Sequence, residues 1–217
     1  MIRIVILFCS ISLVSITSLF SQNNWKLVKN SEDIKVYVKD GNDEKGYVNI
    51  KAVTTTKGSV ASFAKVMQDV SNYNKWMHAV EETFLVSQQS DFDFSYYMLT
   101  DFPWPAKDRD AVINMKFNYN PVDKTFVTVS RDVKGLVPEK DNLTRVEKIK
   151  ASYSFKQMHN GQVRIEYKGQ IKPGVELPEW LMEQVYHIAP YNTLKNLREY
   201  VQNSKYKNNG LDLNKIG

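Results

Sequence analysis

The chain has 217 residues, a formal charge of +5, one cysteine and three histidines. One cysteine excludes an internal disulfide framework, and His78, His159 and His187 include no pair at metal-ligand spacing, so no zinc motif is recognisable. The length suits one domain that buries its own core. The lysine excess is mild and spread along the chain, which reads as a solvated surface; a transient contact with anionic lipid headgroups stays open, and nucleic acid is not expected.

The first twenty-one residues carry one cation, Arg3, and then an apolar run from Ile4 to Phe20 diluted by Ser10, Ser12, Ser15, Thr17 and Ser18. That pattern predicts a secretory signal cleaved after Ser21 or Gln22, because a membrane span needs roughly 20 mainly apolar residues. Cys9 follows the bulky Phe8 and lies too early for a lipid-attachment motif. The expected organisation is a signal over 1–21, one domain over 22–204 and a polar, frayed tail over 205–217. Its location is then secreted or periplasmic, and the mature chain has no cysteine.

After Trp25, the alternation of Ile34, Val36 and Val38 with Lys35, Tyr37 and Lys39 predicts a strand, and Tyr47 to Thr56 completes a hairpin across the turn-like Asp40 to Gly46. Ser59 can cap a helix that carries Val60, Phe63, Ala64, Val66, Met67 and Val70 at helical spacing. Two strands follow, Glu82 to Gln88 and Phe92 to Thr100, the second with Phe92, Phe94, Tyr96 and Met98 on one face. Another places Ala111, Ile113, Met115, Phe117 and Tyr119 inward and Val112, Asn114, Lys116 and Asn118 toward water.

A short strand from Phe126 to Asp132 leads into a Gly/Pro/charged loop, Gly135 to Asn142. The clearest alternation then pairs Ile149, Ala151, Tyr153 and Phe155 with Val163, Ile165, Tyr167 and Ile171 across the turn at His159, Asn160 and Gly161. After Pro173, Gly174 and Pro178, a helix from about Glu179 to Ser204 bears an apolar stripe, while Lys195, Arg198, Glu199 and Gln202 face away. Pro190 should bend it. About seven strands with an early helix and a long final one predict an α+β domain, its helices on one face of an antiparallel sheet. Gly169, Ala151 and Ala111 on the inner face leave room for a cavity, although tight packing around small residues explains them as well.

The segment Phe102, Pro103, Trp104, Pro105, Ala106, Lys107, Asp108, Arg109, Asp110, followed by a strand, resembles the hallmark loop of START domains, the lipid-transfer domains related to steroidogenic acute regulatory protein. Tyr73 and Trp76 after the first helix, Pro178 to Leu181 opening the last, and Leu194, Leu197 and Arg198 near its end fit the same family, covering about Trp25 to Ser204. The resemblance implies a helix-grip fold, a curved sheet around the last helix with one lipid in the tunnel between. It implies that Arg109 meets a phosphate or hydroxyl headgroup, which suits a guanidinium's fixed fork of donors; pairing with Asp108 or Asp110 to pin the loop is the alternative. The expected wall is Phe94, Tyr96, Met115, Phe117, Tyr153 and Tyr167 from the sheet, with Trp180, Gln184 and His187 from the helix. Sterol-binding members carry a facing acid and base where Tyr96 and Met115 stand here, so the resemblance does not extend to a sterol.

No nucleophile with a base and no phosphate-cradling glycine loop is recognisable, and the expectation is a monomeric, non-catalytic binding protein without a cofactor. Its rivals are a cyclase or aromatase-type enzyme using Arg109, Tyr153 and His187, and a partner-binding protein with a solid core. Trp104 and Trp180 either close the tunnel mouth or anchor the core.

Overall fold

The computed structural model describes residues 25–40, 47–146, 148–172 and 178–216. The expected signal over 1–21, the turn at 41–46, and Pro173 and Gly174 before the last helix lie outside them.

Ten strands form one sheet. They are β1 (Lys26–Ser31), β2 (Ile34–Asp40), β3 (Val48–Lys57), β4 (Val80–Ser90), β5 (Asp93–Thr100), β6 (Arg109–Asn120), β7 (Thr125–Asp132), β8 (Thr144–Arg145), β9 (Lys148–Gln157) and β10 (Gln162–Lys172). The order is β1-β2-β3-β10-β9-β7-β6-β5-β4, antiparallel throughout, with β8 added in parallel to β6. Pairing of β3 with β10 splices the first hairpins onto the rest, Ile165 opposite Thr54 and Gly169 opposite Ile50. Beyond the expected seven or so, β1 and β8 are the additions. β1 is a half-exposed edge strand with no apolar alternation, and β8 is only two residues long.

The chain crosses from β3 to the far edge strand β4 through helix α1 (Val60–Gln68) and a 3-10 turn, Val70–Lys75, laid on the inner face. Ser59 caps α1 as expected, its hydroxyl accepting the Ser62 N–H at 3.1 Å. The buried Phe63 of α1 stacks on Phe155, whose other neighbours Phe126 and Tyr153 also stack on it. This aromatic column fills one half of the space beneath the sheet.

The final helix runs as α2 (Glu179–Glu183), one π-helical turn (Gln184–Ile188) and α3 (Ala189–Asn203). Pro190 lacks an N–H, and its ring would press on the carbonyl four residues back, so an α turn there is unfavourable. The chain widens instead: the Ala189 N–H donates to the Gln184 carbonyl, five residues back. The helix accommodates Pro190 through a bulge. Leu181, Tyr186, Leu194, Leu197 and Val201 are its buried stripe.

Three expectations are corrected. Lys195, Arg198 and Gln202 do not simply face away: Lys195 pairs with Glu32 at 2.8 Å, Arg198 donates to the Glu32 carbonyl and to Thr54, and Gln202 donates to the Lys57 carbonyl, tying the helix to the sheet. The tail is not frayed. Tyr206 and Ile216 are buried, the Tyr206 hydroxyl donates to Asp69, and Gly210 lies so near α1 that a Cβ would sit 2.6 Å from that of Ala61. Finally, Val112 and Asp110 on the outer face of β6 are buried, because the loop between β7 and β8 folds over them.

Candidate functional site

Between the inner face of the sheet and the final helix lies a cavity of about 480 Å³ with a mostly apolar wall. Tyr96, Ile113 and Met115 come from β5 and β6, Ala151, Tyr153, Tyr167 and Ile171 from β9 and β10. The helix contributes Leu181, Gln184, Val185 and Leu194, and Met67, Tyr73 and Trp76 close one end. Such a volume belongs to the range of small-molecule pockets.

The Phe102 to Asp110 segment builds the other end. Asp108 accepts the Phe102 N–H at 3.0 Å, and Arg145 grips Asp110 with two hydrogen bonds of 2.8 and 2.9 Å while also donating to the Val137 and Pro138 carbonyls. These bonds pin the loop. Arg109 forms no ion pair with Asp108 or Asp110 among the described residues, although Asp108 acts on it through space and its contacts with Lys107 and Phe102 tie it to the same loop. It is only 4% exposed and lines the cavity. Its Nη1 donates to the Lys107 carbonyl at 2.6 Å and its guanidinium lies 4.0 Å from the Phe102 ring centre, but Nε has no partner and, among the described residues, no carboxylate forms an ion pair with it. Burial pulls its pKa down, with Asp108 opposing the change.

Of the ten expected wall residues, Arg109, Tyr96, Met115, Tyr153, Tyr167 and Gln184 border the cavity. Phe94, Phe117, Trp180 and His187 do not. Phe94 and Phe117 share the inner face with Tyr96 and Met115 but lie further along their strands, packed edge to face at 5.6 Å in the aromatic half of the core. Trp180 sits half-exposed on the rim. His187 projects from the π turn toward Lys26 and Lys29 of β1, and burial lowers its pKa. Tyr96 and Met115 are not directly opposite: Tyr96 pairs with Ile113, and Met115 with Phe94.

Two cavity residues that sequence reasoning noticed without assigning to the wall are Tyr73 and Trp76. Their i, i+3 spacing puts both on one side of the 3-10 region, which was the available signal. Ala151 does open space, whereas Ala111 does not line the cavity. At Gly169 the room is taken by the Tyr167 ring, since a Cβ there would lie 2.9 Å from Tyr167 Cζ.

Phenols set the polarity of the middle of the cavity. Tyr73 donates to the Met67 carbonyl and lies 3.6 Å from the Met115 sulfur. The hydroxyls of Tyr96, Tyr153 and Tyr167 have no hydrogen-bond partner among the described residues. Burial raises the pKa of all three, that of Tyr167 to about 12, so they stand as neutral donors and acceptors.

A curved antiparallel sheet gripping a C-terminal helix around an apolar cavity defines a helix-grip ligand-binding domain. The START domain family model matches residues 15–207, and the chain belongs to that family. An uncharacterised protein of Pseudomonas aeruginosa is 31% identical over 175 residues, 81% of this chain and 85% of the relative. Phosphatidylcholine transfer protein of Mus musculus is 24% identical over 184 residues, 83% of this chain and 85% of that protein. Among solved structures, a STAR-related lipid transfer protein fragment from Xanthomonas axonopodis gives a TM-score of 0.74 at 24% identity, covering 83% of this chain and 99% of that one. Human StAR-related lipid transfer protein 5 gives 0.71 at 14% identity, covering 83% and 88%. These likenesses show the fold.

Proposed function

We propose that this protein is an exported lipid carrier that holds one hydrophobic ligand between sheet and final helix, works as a monomer and touches membranes transiently. The observation that carries the reading is the apolar cavity of about 480 Å³ with a buried Arg109 at one end that makes no ion pair among the described residues. Burying an acyl chain supplies about 0.8 kcal/mol per methylene, ample gross affinity for a long chain, and Arg109 then orients the head. The kinship with phosphatidylcholine transfer protein supports lipid as the ligand class.

Trp104 is 90% exposed and Trp180 46%, both on segments that border the cavity, and large aromatic side chains of this kind settle at the headgroup level of a bilayer. They support a mouth that meets membrane rather than a core anchor. The cyclase reading needs Arg109, Tyr153 and His187 around one substrate, and His187 stands outside the cavity wall, so the geometry favours a carrier. Organic extraction of the purified mature protein followed by mass spectrometry tests the reading: a bound lipid supports it, and no lipid together with no thermal stabilisation by added lipids overturns it. N-terminal sequencing of protein from the native host's envelope fractions tests export; a chain that still begins at Met1 in the cytoplasm contradicts it.

A further inference from the structure

Along the inner face of the sheet, the identity of the aromatic residues changes where the cavity begins. On β5, Phe94 is in the solid core and Tyr96, two residues on, lines the cavity. On β9, Phe155 is in the solid core and Tyr153, two residues back, lines the cavity. Tyr167 on β10 joins them, its ring centre 4.9 Å from that of Tyr153. A purely apolar chain would be served as well by phenylalanine at each place, whereas a hydroxyl open to the cavity is satisfied only by water or by a polar group of the ligand. The three hydroxyls also sense one another, for each of Tyr96 and Tyr153 is raised further by its phenol neighbours. Trp76 backs the belt, meeting Tyr153 edge-on.

This polar belt is separate from Arg109. Arg109 pairs with Thr100 on β5, and at roughly 3.3 Å per residue Tyr96 lies about 13 Å along the strand from that level.

Building on the lipid-carrier reading, we infer that the cavity selects an amphiphile whose chain carries two polar functions, an anionic head held by Arg109 and a mid-chain hydroxyl or carbonyl oxygen held by Tyr96, Tyr153 and Tyr167. A site built to bond an oxygen discriminates against the analogue that lacks it, because its own polar groups are then left unpaired.

The test titrates delipidated protein with hexadecanoic acid, with each mid-chain monohydroxy isomer of it, and with a diacyl phosphatidylcholine. At least one hydroxy isomer should bind about tenfold or more tightly than the unsubstituted acid. The combined Y96F, Y153F and Y167F variant should bring that ratio close to one, with its melting temperature confirming that it folds, and the single Y153F variant should lower the ratio part of the way. R109Q should weaken both acids alike. The inference is overturned if no isomer outranks the plain acid, or if the triple variant keeps the preference. Recovery of diacyl lipid with no binding of any single-chain acid overturns it too while leaving the carrier reading in place, whereas failure of every lipid removes both.

Discussion

Arg109 and Arg145 both stand at the start of β6, yet among the described residues only Arg145 is ion-paired there: it holds Asp110 through two hydrogen bonds on the outer face, while Arg109 faces inward and feels Asp108 only through space. Alternation along a strand separates the two roles, since Arg109 and Asp110 are neighbours in sequence on opposite faces. Removing Arg145 leaves the buried Asp110 uncompensated, so R145A should lose about 3 kcal/mol in urea denaturation. Arg109 is desolvated without that return, so R109M should leave stability equal or higher while weakening ligand binding. Equal losses in the two variants would contradict this division.

Pro190 sets the π turn that places Gln184 and Val185 in the cavity wall. P190A restores an N–H and permits an ordinary α turn, which redirects those side chains. Stopped-flow uptake of a fluorescent fatty acid should change in rate by more than its equilibrium affinity does. An unchanged rate would remove the turn from any gating role.

His78 lines the cavity, half-buried, with Asn192 near its ring and the Thr193 hydroxyl accepting its backbone N–H. Burial lowers its pKa below 6.5. Between the lowered value and 6.5 the unfolded chain binds more protons than the folded one, so this contribution is present above pH 6.5 and is lost as the pH falls below it. The melting temperature should therefore decline on acidification through this window, and H78Q should flatten part of the slope. An identical slope in H78Q would contradict the assignment.

Trp104 projects into solvent, so W104A should leave the melting temperature within about a degree. Partitioning onto anionic vesicles in a sedimentation assay should fall roughly tenfold, the worth of one large apolar side chain leaving the interface. Unchanged partitioning would shift the membrane contact elsewhere.

Sequence pattern revealed the elements with one wet and one dry face. The hairpin of β9 and β10, the Ser59 cap and the apolar stripe of the final helix were all legible because alternation and helical spacing report local geometry. β1 was not legible, since a half-exposed edge strand with one partly buried apolar residue, Val28, carries no alternation. Nor was the cover over Val112 and Asp110, because a polar loop's resting place depends on contacts distant in sequence. Within the site, alternation identified the inner face but not the level along it. Phe94 and Tyr96 look alike in sequence, and only the docking of Phe63 on Phe155 decides which half of the sheet is filled. His187 lies outside the cavity wall, within the π turn, whose register helical spacing does not report.

The most direct test of the account is native mass spectrometry of the protein purified from its host. The account predicts one lipid-sized adduct per chain, lost when R109Q is combined with the three tyrosine-to-phenylalanine changes. A wild-type spectrum at the bare protein mass, unchanged after incubation with single-chain and diacyl lipids, would contradict it.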